Sequence, residues 1–114
     1  MIFVIDDDEI MAECVARACG GAKIFQNASE AMNAIIAGEM PELIFLDILL
    51  DGPDGFTFLN ELISYDDTAK IPVVIVTSLN IKNDLTVYGV VGVLDKIKMT
   101  PMEIKKYAEK YARN

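Results

Sequence analysis

Five short runs of apolar residues divide the chain, and each run leads into a polar or glycine-containing segment. The runs are continuous rather than alternating, which is typical of parallel strands that are buried on both faces. Strands of this kind carry many β-branched residues, as in "VVIVT". The pattern therefore predicts five strands, at 2–5, 22–26, 42–47, 73–77 and 90–95.

Between these runs, apolar residues recur at the three- and four-residue spacing of an amphipathic helix. The first predicted helix covers 9–19, with an inward stripe of Ile10, Cys14, Val15 and Ala18. The segments "NASEAMNAIIAG" and "GFTFLNELIS" predict the second and third helices. A weak fourth helix is predicted at 80–88, where several residues are poor helix formers.

Capping residues mark two helix starts. Asn27 or Ser29 can cap the second helix, and Gly38 follows its last turn. The last helix, "TPMEIKKYAEKYA", opens with a capping box in which Thr100 is the N-cap and Glu103 the third helical residue. These capping residues predict where the second and last helices begin.

Strands and helices alternate along all 114 residues without a linker or repeat. Alternation of this kind predicts one α/β domain, 1–114, of (βα)₅ type, with parallel strands and right-handed crossovers. Continuous apolar strands suit an open, doubly wound sheet with helices on both faces. In such sheets, ligands bind beyond the carboxyl ends of the strands.

Composition excludes several classes of function. The chain has no histidine, so it holds no histidine-dependent catalytic triad, histidine-ligated zinc or histidine phosphoacceptor. No apolar run approaches the roughly 20 residues of a membrane helix, and the first basic residue is Arg17, so we expect a cytoplasmic protein without a secretory leader. Cys14 and Cys19 are too far apart on one helix for a disulfide and are expected to be reduced and packed.

The charge is unevenly distributed. Residues 1–69 carry 14 acidic and two basic residues, whereas residues 70–114 carry eight basic and four acidic ones. The acidic part argues against general nucleic-acid binding. The basic part is the one region where an acidic partner could dock, although a solvated helix face also accounts for many of its lysines.

Polar side chains follow the predicted strands at their carboxyl ends. Asp6 and Asp7 follow the first strand, Asp47 the third, Thr77 ends the fourth, and Lys96 follows the fifth. Carboxylates ~4 Å apart repel by about 4 kcal/mol at an effective dielectric of 20, so they bind protons or a cation. Such a group of oxygen ligands suits Mg²⁺, and a lysine and a hydroxyl beside it suit a phosphoryl group. These residues predict that Asp47 is a nucleophile in a metal-binding crevice.

At this point the chain closely resembles the receiver domains of two-component response regulators. The resemblance covers the whole chain and rests on four motifs in order, "FVIDDDE", "LIFLDILLDGPDG", "VVIVTS" and "GVLDK". It implies a flavodoxin-like fold with strand order 2-1-3-4-5. It also implies that Asp6, Asp7, Asp47 and the backbone carbonyl of Leu49 bind Mg²⁺, that Asp47 accepts the phosphoryl group, and that Thr77 and Lys96 contact its oxygens.

The resemblance also implies partners. The phosphoryl donor would be a histidine kinase, a histidine phosphotransfer protein or a small phosphodonor. The signalling face would combine the predicted fourth helix, fifth strand and fifth helix (α4-β5-α5 in the family), and a homodimer through that face is one expected arrangement. We also expect a stand-alone receiver without an output domain and without catalytic turnover of a substrate.

The chain departs from the family pattern at several positions. Val93 occupies the position of an aromatic residue that reports phosphorylation, and Ile97 replaces a proline after the lysine. Leu49 and Leu79 occupy two positions that tune the lifetime of the phosphoryl group. Because neither leucine can orient an attacking water, slow self-dephosphorylation is expected.

Two other functions stay open from the sequence. A degenerate receiver would bind partners without phosphorylation, as Val93 and Ile97 allow. Alternatively, "FVIDDDEI" resembles the first motif of haloacid-dehalogenase-type phosphatases, in which Asp6 would be the nucleophile and Asp8 the acid. That alternative leaves Asp47 without a role.

Overall fold

The computed structural model describes residues 1–48, 55–78 and 85–112. Its strands are β1 (Ile2–Ile5), β2 (Lys23–Phe25), β3 (Leu43–Leu46), β4 (Val73–Thr77) and β5 (Val90–Asp95). These five parallel strands form a single sheet in the order β2-β1-β3-β4-β5. The order confirms the predicted flavodoxin-like arrangement, and β1, β4 and β5 have the predicted bounds.

Five α-helices lie along the described part of the chain. Among these residues, no helix is long and apolar enough to cross a membrane. The helices are α1 (Glu9–Ala18), α2 (Ala28–Ile36), α3 (Gly55–Ile63), α4 (Asp66–Ala69) and α5 (Pro101–Tyr111).

Both faces of the sheet are covered by helices. Phe3 and Ile5 of β1 are fully buried on the face that packs against α2 and α3. Ile2 and Val4 point to the opposite face, where they join residues of α1 and α5. Because successive side chains of a strand point to opposite faces, a continuous apolar strand supplies both cores. The functional groups must therefore lie at the strand ends.

The helix predicted at 80–88 is wrong in its described part. Residues 86–88 form a single 3-10 turn, Thr86–Tyr88, which ends at Gly89 with a φ of 80°. The first part of the prediction, 80–84, lies outside the described residues. A short helix that was not predicted, α4, precedes β4 instead, and the buried Thr68 hydroxyl ties it to α3 by donating to the Leu62 carbonyl.

The predicted inward stripe of α1 is also wrong in part. The helix buries Ala12 and Val15, whereas Ile10 is 78% exposed and Cys14 is exposed. The buried positions lie three residues apart, on the side of α1 roughly opposite Ile10 and Cys14. Cys14 is therefore not packed, although both cysteines are free, as predicted.

Both predicted caps are present, and Asp8 caps a third helix. The side chains of Asp8 and Asn27 accept hydrogen bonds from the Met11 and Glu30 N–H groups, and Thr100 forms the expected capping box with Glu103. No cis peptide bond occurs among the described residues, so the bond between Lys96 and Ile97 is trans.

Candidate functional site

The sheet register brings the polar strand ends together. β1 and β3 are neighbours, with Ile5 opposite Leu46, so Asp6 and Asp47 follow adjacent rungs. The Asp47 N–H donates to the Ile5 carbonyl at 2.9 Å. The backbone of the sheet itself therefore sets these two aspartates side by side.

The second half of the site is set by β4 and β5. Thr77, the last residue of β4, is fully buried and lies opposite Asp95. The Lys96 N–H donates to the Thr77 carbonyl at 3.0 Å. This backbone bond places the two predicted phosphoryl-contacting residues on adjoining strand ends.

Three carboxyl groups form an acidic cluster at the carboxyl ends of β1 and β3, as predicted. Asp6 is 2% exposed and Asp47 is 4% exposed, whereas Asp7 is exposed. One carboxylate oxygen from each of Asp6, Asp7 and Asp47 lies within 4.8 Å of the others. The Asp8 N–H donates to Asp6 Oδ1 at 2.9 Å and fixes that side chain.

Lys96 connects the two buried carboxylates. Its Nζ lies 3.0 Å from Asp47 Oδ2 and 3.1 Å from Asp6 Oδ2, and its side chain is 16% exposed. A charge-assisted pair in this poorly solvated position is stronger than one on the surface. Lys96 is therefore the positive group that allows two neighbouring acids to be buried.

Burial and charge act in opposite directions on the pKa values here. Burial raises the pKa of Asp6, against the hydrogen bond from the Asp8 N–H and the attraction of Lys96. Burial alone would lower the pKa of Lys96, but its hydrogen bonds to Asp47 and Asp6 outweigh that effect and raise it. Lys96 is thus held in its charged form, and its ammonium is shared by the Asp6 and Asp47 carboxylates.

The donor set of this cluster fits a small, hard cation. Mg²⁺ prefers oxygen ligands and keeps several of its waters, so it needs few carboxylates and access to solvent. Asp6 and Asp47 offer buried oxygens, and the exposed Asp7 leaves one side open to water. Two predictions fall on residues outside the described part of the chain. One is the Leu49 carbonyl as a fourth Mg²⁺ ligand, and the other is Leu79 as a position that tunes the lifetime of the phosphoryl group.

Two features of the site were missed from the sequence. No spacing signal indicated that Lys96 would contact Asp6 as well as Asp47, since the three residues come from separate strands. The turn after Lys96 was also missed: Asp95 Oδ1 accepts from the Ile97 N–H at 2.8 Å. An aspartate two residues before a loop amide is a recognisable Asx-turn signal, and the turn leaves Ile97 83% exposed.

Comparisons with known proteins agree with this geometry. The sequence model of the response regulator receiver domain matches residues 2–109. The response regulator PleD of Caulobacter vibrioides is 33% identical over 91 residues, which span 73% of this chain and 19% of PleD. The chain therefore spans about a fifth of that relative.

Solved structures share the fold. A response regulator receiver protein from Pseudomonas putida has a TM-score of 0.83 at 17% identity, over 96% of this chain and 94% of its own. The Mn²⁺-bound form of the response regulator Rcp1 has a TM-score of 0.75 at 22% identity, over 96% and 88% of the two chains.

Proposed function

The chain belongs to the response regulator receiver domain family, and we propose that it acts as a phosphoacceptor switch with Asp47 as the acceptor. Receiver domains are signalling domains of two-component systems. The observation that carries the assignment to Asp47 is its position. It is a 4% exposed carboxylate that contacts Lys96 and lies beside Asp6 and Asp7.

In the proposed reaction, a carboxylate oxygen of Asp47 forms a bond to phosphorus while the bond from phosphorus to the donor atom breaks. The donor would be the phosphohistidine of a histidine kinase or phosphotransfer protein, or a small phosphodonor. The leaving group takes its proton from solvent. Lys96, already 3.0 Å from Asp47 Oδ2, would shift its contact to a phosphoryl oxygen and balance the added negative charge.

Asp6, Asp7 and Asp47 would hold Mg²⁺, with the Leu49 carbonyl as a further ligand. The bound cation would neutralise charge on the transferring phosphoryl group. A solved relative in fold, Rcp1, is described in its Mn²⁺-bound form, which supports a divalent cation at this type of site. The chain's own part is to align the acceptor carboxylate and to keep bulk water from its buried side.

The switch would act through Thr77 and Lys96. Thr77 is fully buried at the end of β4 and is joined by its carbonyl to the Lys96 N–H. We propose that both side chains contact the phosphoryl oxygens and that the change passes to the signalling face, of which β5 and α5 are the described elements. Val93 is 45% exposed on β5, so the change would travel without an aromatic ring at that position.

The test is intact mass after incubation with a small acyl phosphate and Mg²⁺. We expect one phosphoryl adduct on the wild type, stable in acid and labile in base, and none on Asp47→Asn. Asp67→Asn, an exposed acid on α4, is the matched control and should be phosphorylated normally. An adduct that persists on Asp47→Asn would refute the assignment.

The same incubation, with released phosphate measured beside intact mass, decides between the other two functions. A degenerate receiver is favoured by the exposed Val93 and would give no adduct with or without Mg²⁺. A phosphatase with Asp6 as nucleophile would release phosphate, lose that activity in Asp6→Asn and keep it in Asp47→Asn. Asp8, the acid required by that alternative, caps α1 through the Met11 N–H.

Slow self-dephosphorylation is part of the proposal, because Leu49 and Leu79 cannot orient water. Leu79→Glu should accelerate hydrolysis of the adduct, measured by its decay after the phosphodonor is removed. An unchanged decay rate would count against the role of this position.

A further inference from the structure

The two edges of the sheet differ in how they are protected. β2 has three residues, and its Lys23 pairs with Glu39 at 2.7 Å. β5 has six residues with no lysine or proline, and it exposes Val91 by 38% and Val93 by 45%. Short strands and edge lysines protect a sheet from adding another strand. β5 lacks both of these protections.

The backbone of β5 presents hydrogen-bonding groups on the side away from β4. The Lys96 N–H donates to the Thr77 carbonyl, and Asp95 is the residue opposite Thr77. Backbone groups alternate in direction along a strand, so those of Leu94 point toward β4 and those of Val93 point away from it. β4 is the one strand that pairs with β5 in the described part of the chain.

A hollow on the surface of α5 carries two lysines and lies next to β5, since a β-carbon at Gly92 would overlap the Tyr107 side chain that lines it. Glu103, Lys106, Tyr107 and Lys110 line this hollow of about 270 Å³. Glu103 is already engaged in the capping box with Thr100. Among the described residues, neither Lys106 nor Lys110 has a carboxylate within ion-pair distance, and Lys110 lies 5.3 Å from the centre of the Tyr111 ring.

We propose that the β5 edge binds an extended segment of a partner protein in which acidic and apolar residues alternate. An added strand would bond to the Val93 backbone and point its side chains to the two faces in turn. Side chains on one face would meet Lys106 and Lys110, and those on the other would cover Val93. This inference deepens the proposed function by naming the chemistry of the partner at the signalling face.

Charge favours this occupant over a second copy of the chain. In a symmetric pair, the same patch faces itself, so Lys106 and Lys110 of both copies would approach each other. An acidic segment instead gains attraction from both lysines and, within the hollow, meets like charge at Glu103 alone, which accepts a hydrogen bond from the Thr100 N–H. The alternating pattern follows because the lysines and Val93 belong to opposite faces of the sheet.

The experiment is a titration of ¹⁵N-labelled Asp47→Asn protein with a short peptide of alternating glutamate and valine. We expect chemical-shift changes confined to β5 and α5, and slower hydrogen exchange at the Val93 amide. Using Asp47→Asn separates this test from phosphorylation, which the mass assay measures independently. The control peptides are an alternating lysine–valine sequence and one with the same glutamates and valines in two blocks.

The matched variants lie on α5. Lys106→Glu combined with Lys110→Glu should weaken binding by about tenfold, whereas Lys105→Glu, which lines the groove toward Arg17 of α1, should change it by less than about twofold. Equal binding of either control peptide, shifts elsewhere or no shifts would overturn the proposal. Concentration-dependent protection of Val93 without peptide, with a dimer in sedimentation, would assign the edge to a second copy instead.

Discussion

The carboxyl-end site and the β5 edge reverse the usual distribution of polar and apolar groups. The site buries Asp6, Asp47 and Thr77 almost completely, while the edge leaves Val91 and Val93 more than a third exposed. Buried charge is costly unless it is paired. The exposed valines, in contrast, contribute little hydrophobic stabilisation to the fold. The first arrangement suits chemistry, and the second suits recognition.

The two regions also differ in how strongly their residues depend on one another. At the site, Lys96 contacts both buried acids at 3.0 and 3.1 Å, so a change to one residue alters the surroundings of the other two. At the edge, Val93 is an exposed, uncharged side chain. Variants at the site should therefore affect chemistry, and variants at the edge should affect binding alone.

The largest expected effect is on phosphorylation. Asp47→Asn should remove the adduct completely, because the amide lacks the nucleophilic carboxylate, whereas Val93→Ser should be phosphorylated at a rate within about twofold of wild type. Intact-mass time courses measure both. A large loss of phosphorylation in Val93→Ser would show that the two regions are coupled in the unphosphorylated state.

The second effect concerns metal binding. Asp6→Asn should weaken Mg²⁺ binding by between about tenfold and a hundredfold, since it removes a charged ligand. Titration of Mg²⁺ followed by amide chemical shifts near Asp47 measures the affinity, and Asp95→Asn, outside the cluster, is the control. Equal affinities for Asp6→Asn and wild type would mean that Asp6 is not a ligand.

The third effect tests how α5 is seated on β5. A β-carbon at position 92 would overlap the Tyr107 hydroxyl, so Gly92→Ala should lower the free energy of unfolding by about 1–3 kcal/mol. Urea unfolding of Gly92→Ala, and of the same change combined with Tyr107→Ala, measures this. If Gly92→Ala lowers the free energy of unfolding by the same amount with Tyr107→Ala present as without it, the contact with Tyr107 is not the cause.

The smallest expected effect is at the exposed edge. Val93→Thr replaces an exposed valine by a residue of the same shape and should change stability by less than about 0.5 kcal/mol. Urea unfolding again gives the value, with the buried Ile75→Val as the contrasting variant. A cost as large as that of Ile75→Val would mean that Val93 is covered within the folded chain.

Local patterns predicted the strands well. β1, β4 and β5 have the bounds predicted at 2–5, 73–77 and 90–95 because short, mainly apolar runs are recognisable without their neighbours. The convergence of Asp6, Asp47 and Lys96 followed from one topological rule, since the carboxyl ends of parallel strands lie at the same end of the sheet. The predicted roles of these residues in phosphoryl transfer stay predictions.

What depends on tertiary packing could not be predicted. The inward stripe of α1 was assigned in part to Ile10 and Cys14, but packing orients the helix so that Ala12 and Val15 enter the core. The pairing of Lys96 with Asp6, and the contact of Tyr107 with the Gly92 backbone, join residues that are distant in sequence. The helix expected at 80–88 had weak propensity throughout, and its described end is a single 3-10 turn.

The connection between β1 and α1 has a consequence for how the chain tolerates changes in length. Only three residues separate Ile5 from Glu9, and one of them, Asp8, both donates its N–H to Asp6 and caps the helix through the Met11 N–H. An insertion of one residue there would displace either the carboxylate or the cap. We therefore expect insertions and deletions to be rejected in this connection and accepted more readily between α2 and β3, at the end of the sheet away from the site.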